Sequence, residues 1–454
     1  MITELGYGSN VAALRTQAIW KSERRHFLLH TPEEIATKFM PNVAGKDLPL
    51  LTVVAARLIV DGEDEGVFPF VVPLRTEDGT APGVHILEMP DKGFAPMDNA
   101  LIRFNQVPVP EHAWLTGGTA WFDAAGRFAC SIPDLKDRFR QTVQQLRTGR
   151  VMLAAGTLAA ARAGLWLTYD YALQRRTAGD VPMIERDNVA LGLLSCLSRV
   201  YAASAFGNAV RARLPAQEEG RLTGPEEDAK TELLCSLAKP LLSWTARDVL
   251  QECRERCGAQ GMFRANRIPD YLGITQAVIT AEGENQVLQI SAGRSLAARV
   301  EGESGWAVGA DQQGTSQWHG LLRLRERILA EESAHAGWAN THALDLADAA
   351  ATRMAAQSLH EEAERAPDAA RRLLHTLGVL YAAEQVRARA GWFAAHAELS
   401  AERAEQLTRD IDQAHTELLP RMPELMGAFG FERGSPRSLM GRNDVDEWVR
   451  LIHT

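Results

Sequence analysis

The 454-residue chain is poor in cysteine, with five, and poor in positive charge: 49 lysines and arginines stand against 58 aspartates and glutamates, a formal net charge of −9. That balance leaves no global basic field for a nucleic acid or an anionic membrane, so an anionic ligand must be met by local arginines and backbone amides. The cysteines, Cys130, Cys196, Cys235, Cys253 and Cys257, are odd in number and mostly in apolar helical context, and read as buried free thiols of a reducing compartment. CRERC at 253–257 lacks the second pair or flanking histidines of a zinc site, and no metal is expected. No run approaches the 18 or so apolar residues of a membrane span, no basic-then-apolar leader opens the chain, and LIHT at its end is not a peroxisomal address, so the expected location is the cytoplasm. Phosphate-loop, dinucleotide, nucleophile-elbow and zinc-protease motifs are incomplete: AGKDLP, GYGSN, GESGW and HEEAE each supply only a fragment. The twelve histidines are scattered, and each reads as a surface or core residue.

What is present is globular: 46% hydrophobic and 24% charged residues, enough for a sizeable core. From residue 15 to about 110, short alternating runs such as RTQAIW, RHFLLHT, LPLLTVVAARLIV and GVFPFVVPLR are separated by turn-forming DGEDEG, TEDGTAPG and MPDKGFAPMDN, which predicts six or more strands. Beyond ACSIPDLKD the runs become long, Ala- and Leu-rich and periodic near 3.6 residues. After a Gly/Gln/Ser-rich linker at 302–316 they alternate charge with an apolar stripe. The expectation is an α+β multidomain protein: a β-sandwich or barrel-like domain over 1–128, then two α-helical bundle domains over 129–301 and 302–454.

One stretch, TAEGENQVLQISAGR at 280–294, sets Glu282 and Glu284 around a glycine at the entry to an apolar helix. First-turn acids interact favourably with a helix dipole, and either glutamate fits that role. A carboxylate in a drying site is also a competent general base.

Four segments in order resemble the acyl-CoA oxidase branch of the acyl-CoA dehydrogenase superfamily. TELGYGSN at 3–10 is similar to the family's flavin loop, and KGFAPMDNALIRFNQVPVPEHAWL at 92–115 to its MDN segment and the V-P-x-x-x-L that follows. CGAQGMFRANRIPD at 257–270 matches C-G-x-x-G, and TAEGENQVL at 280–288 matches T-x-E-G-[DE]-N-x-V-L. The resemblance implies FAD as cofactor and α,β-dehydrogenation of an acyl thioester to a trans-2-enoyl thioester. It makes Glu282 the base that takes the α proton, with molecular oxygen as electron acceptor. It further implies FAD contacts from Thr3, Asn42, Arg175, Gly258 and Asn285, with Arg175 reaching the pyrophosphate across a subunit interface. Asn285 is open between touching the cofactor and holding its loop, and Glu284 is expected to start the helix. Asn42 stands where the oxidases usually carry glycine, and Ala259 and Met262 replace a glycine and an aromatic, implying a reshaped pocket. The family has a helical domain ahead of the flavin loop, which here begins at residue 3.

The partners implied are acyl-CoA or a carrier-bound acyl thioester, oxygen, and a second copy of the chain or a related subunit, with no nucleic acid and no membrane span. Two other readings stay open: a dehydrogenase passing electrons to another acceptor, and a partner-dependent or non-catalytic subunit of a composite flavoenzyme.

Overall fold

The computed structural model describes all residues except 95–96, 145, 301–314, 334–338, 433–437, 441–443 and 454. Most of the expected linker, the GESGW fragment and parts of the C-terminal ending thus lie outside the described residues. The chain divides into two compact units, Met1–Arg147 and Thr148–Thr454.

The first unit is built on β1 (Gln17–Lys21), β2 (His26–His30), β3 (Lys38–Asn42), β4 (Leu50–Val60), β5 (Glu63–Thr76), β6 (Gly79–Thr80), β7 (Val84–Glu88), β8 (Asn99–Phe104) and β9 (Val107–Pro110). Their alternation of apolar and polar residues buries one face, as with Ala18 and Trp20 along β1 and Phe27 and Leu29 along β2. A six-stranded sheet runs β6-β5-β4-β1-β2-β9 and a three-stranded sheet β3-β8-β7. β1 lies antiparallel to β2, with Trp20 opposite Phe27, and parallel to β4. Two further short strands, β10 (Ala120–Phe122) and β11 (Phe128–Cys130), form their own hairpin beyond the last strand expected from sequence. Phe122 stacks on Trp20 with ring centroids 3.9 Å apart, tying that hairpin to the main aromatic core. Helix α1 (Leu135–Gln144) belongs to this unit: Arg138 donates to the Glu65 carbonyl at 2.7 Å and Thr142 to the Val67 carbonyl at 2.8 Å, both on β5.

The second unit is helical: α2 (Leu146–Gln174), α3 (Asp187–Glu218), α4 (Pro225–Arg256), α5 (Ile268–Thr280), α6 (Asn285–Val300), α7 (Gln317–Ser333), α8 (Ala339–Arg365), α9 (Asp368–Ala388), α10 (Ala390–Ala395) and α11 (Ala401–Leu418), followed by shorter pieces. Their boundaries follow local chemistry. Proline occupies the first turn of α4, ahead of Glu226, Glu227 and Asp228, where a missing N–H costs nothing and acids suit the dipole. The Ser400 hydroxyl caps α11 by accepting from the Arg403 amide at 3.2 Å. Residues at helical spacing, such as Val151, Ala154, Leu158, Ala161 and Leu165, join one apolar cluster to which helices on both sides of residue 302 contribute. α6 and α8 approach so closely that a Cβ on Gly293 would stand 2.0 Å from the Ala343 carbonyl oxygen.

Among the described residues, two helical stretches are long and apolar enough to cross a membrane by length and composition, against the expectation that none approaches that limit. In α3 67% of the 18-residue window, of mean hydropathy 1.5, is buried in the bundle, as in the core helix of a packed protein. The five cysteines are free and four are buried. Burial pushes the Cys253 thiol well up and the Cys257 thiol to about 11, the condition of inert packing residues.

Candidate active site

Between α5 and α6 the chain turns through residues 281–284. Ala281 is extended, whereas Glu282 and Gly283 both have positive φ, 52° and 103°. For a glutamate the left-handed region costs about 1 kcal/mol or more, so surrounding contacts must hold it there. They are specific. Arg150 Nε donates to the Glu282 carbonyl at 2.9 Å, and the same guanidinium is anchored by Glu232 Oε1 at 2.8 Å. Lys239 on α4, fully buried, donates to the Gly283 carbonyl at 2.5 Å, to Asn285 Oδ1 at 3.0 Å and to the Ile279 carbonyl at 3.3 Å. One ammonium thereby satisfies a carbonyl at the end of α5 and fixes both ends of the turn.

Asn285 is also fully buried; besides accepting from Lys239, its Nδ2 donates to Ser243 Oγ at 3.0 Å. Its side chain holds the loop. Glu284 starts α6, accepting from the Val287 amide at 3.1 Å.

The Glu282 side chain points instead to the first turn of α2. A Cβ placed on Gly149 would stand 2.1 Å from Glu282 Oε2, so the carboxylate occupies room that only glycine leaves. Oε2 is buried without a hydrogen-bond partner. Burial raises the Glu282 pKa, opposed in part by the positive charges of Arg150 and Lys239. Burial also lowers Lys239 to about 8, with Arg150 adding to the effect. The cluster is therefore a strained, half-buried carboxyl group with a raised pKa and one oxygen uncommitted, the electrostatic profile of a general base. Gly149, Arg150 and Lys239 are not singled out by the sequence reading. The available signal was a lone lysine inside the apolar LLCSLAKPLLSW and a Gly-Arg pair at the head of an apolar helix.

The remaining expected site residues lie elsewhere. α2 and α4 run side by side, with Thr168 Oγ1 3.5 Å from Cys257 Sγ, so Gly258 and the residue after α2, Arg175, both stand toward the end away from Glu282. At 1.5 Å per residue, Arg175 is about 39 Å along α2 from Gly149. Arg175 is exposed, its amide donating to the Tyr171 carbonyl at 2.8 Å and its carbonyl accepting from Met183 at 2.8 Å. Gly258 has φ 55° in an exposed turn, a backbone that favours glycine, and Gly261 lets that turn close, since a Cβ there would meet the Arg254 carbonyl oxygen at 2.3 Å.

Thr3 and Asn42 belong to the β unit. The partly buried Thr3 is held by its carbonyl, which accepts from the Phe39 amide at 3.0 Å. Asn42 is exposed at the end of β3, opposite Asn99. The acid of the same TELGYG segment has a clear structural task. Glu4, buried, accepts from Lys38 Nζ at 3.0 Å, the Arg15 amide at 2.7 Å and the Thr16 amide at 2.9 Å, while Lys38 also donates to the Ala55 carbonyl at 2.8 Å.

Residues 144–297 match the family model of the acyl-CoA oxidase C-alpha1 domain, and residues 319–451 match the acyl-CoA oxidase model. The chain is 30% identical over 305 residues to acyl-coenzyme A oxidase 3, peroxisomal, of Arabidopsis thaliana, covering 65% of this chain and 44% of that protein. It is also 30% identical over 302 residues to the human peroxisomal acyl-coenzyme A oxidase 3, covering 63% and 43%. The matched region thus spans less than half the length of these two relatives. Among solved structures, Arabidopsis thaliana acyl-CoA oxidase 1 superposes with a TM-score of 0.83 at 22% identity, covering all of this chain and 75% of that one. Acyl-CoA oxidase-2 of Caenorhabditis elegans, bound with FAD, ascaroside-CoA and ATP, superposes with a TM-score of 0.86 at 21% identity, covering 100% and 73%. At those identities the structural likeness establishes the fold, a β unit followed by a helical one.

The cytoplasmic expectation is contradicted by these relatives, both of which are named as peroxisomal. It had rested on missing address signals, which are short and carry no fold. Two matched domain models, relatives at 30% identity and the shared fold agree: this chain belongs to the acyl-CoA oxidase family.

Proposed function

We propose that the chain is an FAD-dependent acyl-CoA oxidase: it converts an acyl-CoA, or a carrier-bound acyl thioester, to the trans-2-enoyl thioester and passes the electrons to molecular oxygen. The observation that carries this reading is the Glu282 carboxylate, buried at Oε2 without a partner, raised in pKa and seated in the gap at Gly149. An uncommitted buried oxygen is what a base needs in order to meet a substrate C–H rather than a protein donor. Breaking the α C–H bond leaves the proton on Glu282, while Arg150 and Lys239 hold the loop that aims the carboxylate. A bound flavin supplies the acceptor for the β hydride, chemistry that no side chain provides.

The cofactor would be held by Thr3, Asn42, Arg175 and Gly258, the last two contributing to the flavin of a second copy, with Asn285 acting through the loop. The distance along α2 between Arg175 and the Glu282 cluster exceeds the reach of any side chain. That separation supports the expectation that Arg175 serves the flavin of a second copy, in a homodimer or a pair with a related subunit. The two matched family segments support treating the helical part as modules over 129–301 and 302–454 behind a β module over 1–128.

The test is direct. Purified full chain is reconstituted with FAD and mixed in air with a straight-chain acyl-CoA. Hydrogen peroxide and trans-2-enoyl-CoA should appear in equal amounts. Protein that retains no flavin, or that retains flavin and forms neither product, contradicts the proposal. Enoyl product without peroxide, formed only with an added electron acceptor, favours the dehydrogenase reading.

A further inference from the structure

HEEAE at 360–364 has no second histidine within reach along its own helix, but the fold brings one from the next. His360 and Glu364 are four residues apart on α8 and share a face. α9 returns His375 to that face. Its Nε2 is 2.9 Å from Glu364 Oε1, its ring centroid is 5.1 Å from that of His360, and one ligating atom from each of the three residues lies within 4.8 Å of the others. Two imidazoles on one tetrahedral ion, with metal–nitrogen bonds of 2.0–2.1 Å, place their ring centroids about 5 Å apart.

A fourth group stands beside them. His319 on α7 is 5% exposed and edge-on to His360, with ring centroids 6.2 Å apart. Its Nδ1 is fixed by Ser316 Oγ at 2.8 Å, and its Nε2 is buried. That nitrogen lies 4.0 Å from where a Cβ on Gly378 would stand, one turn along α9 from His375. Access exists as well, because His375 lines a surface cavity of about 570 Å³ together with Asp368, Thr376 and Asp410.

We propose that His360, Glu364 and His375 bind a divalent transition metal of the zinc class, with solvent completing the coordination. Imidazole and carboxylate ligands suit that class better than they suit magnesium or calcium. The ion joins α8 and α9, and its role is structural.

The test uses the full chain, stripped with a chelator and titrated with zinc chloride alone. The expected result is about one zinc per chain and a higher melting temperature with zinc. Glu364→Gln and His375→Gln, both at accessible positions, should each weaken zinc binding at least about tenfold. His396→Gln, which removes a different histidine–glutamate pair, should bind as the parent does. Circular dichroism of each variant without metal separates loss of binding from loss of fold. A parent protein that takes up no zinc makes the cluster an ion pair only and overturns the proposal. Unchanged zinc affinity in both ligand variants overturns it equally.

Discussion

Glu282 Oε2 lies 2.1 Å from the point where a Cβ on Gly149 would stand: the carboxylate of one helix entry fills the missing side chain of another helix's first turn. That relationship links residues 133 positions apart and makes the glycine part of the candidate active site.

Gly149→Ala should therefore displace Glu282. We expect kcat to fall at least tenfold with flavin still bound, and stability to fall by about 1–3 kcal/mol from overpacking. Gly156→Ala on the same helix, where an added Cβ meets nothing within 4 Å, is the control and should leave both unchanged or slightly improved. Steady-state kinetics and denaturant unfolding of both variants check this; equal effects at the two glycines would contradict it.

Arg150→Gln should move the pH dependence of kcat/KM. Glu282 works as a base only when ionised, so activity rises with pH through its pKa. The Arg150 charge holds that pKa down against burial. Removing it should shift the acid limb to higher pH, and a limb that stays in place would separate Arg150 from the base.

Lys239 and Lys38 give the stability a defined alkaline dependence. Burial lowers both from 10.5 to about 8 in the folded chain. Between about pH 8 and 10.5 the unfolded state binds more protons, so stability should rise with pH across that window, by up to about 1.4 kcal/mol per pH unit for each lysine. Below pH 8 the contribution of each lysine is constant. Lys239→Met should remove one lysine's share of the slope in unfolding measured at several pH values; an unaltered slope would contradict the assignment.

Glu4→Gln leaves the Lys38 ammonium buried without its counter-charge. We expect a loss of about 3–5 kcal/mol, and a smaller loss for the Glu4→Leu/Lys38→Met pair, because an uncompensated buried charge costs more than no charge at all. Denaturant unfolding of the three proteins decides this, and a double variant no better than the single one would refute it.

Much of the β unit was legible because its strands bury one face: RTQAIW and RHFLLHT announce β1 and β2 by alternation alone. The parallel pairing of β1 with β4 was not, since register between segments some 40 residues apart leaves no local trace. Nor were β10 and β11, three residues each, too short to show a period. At the candidate site, local spacing in TAEGENQVL announced a helix start, and Glu282 was picked out as the base only by the resemblance to the family motif. Gly149, Arg150 and Lys239 stayed hidden because their function depends on helices that meet only after folding. The histidine cluster was hidden for the same reason, with His375 on a different helix from HEEAE.

The central claim is that Glu282 takes the substrate's α proton, and the most direct measurement is anaerobic rapid mixing of FAD-loaded protein with acyl-CoA, following loss of the flavin absorbance. The expected result is fast loss in the parent chain and a rate lower by about 10²–10⁴-fold in Glu282→Gln, with flavin content and acyl-CoA binding retained. A Glu282→Gln protein that bleaches at the parent rate would show that the base is another group.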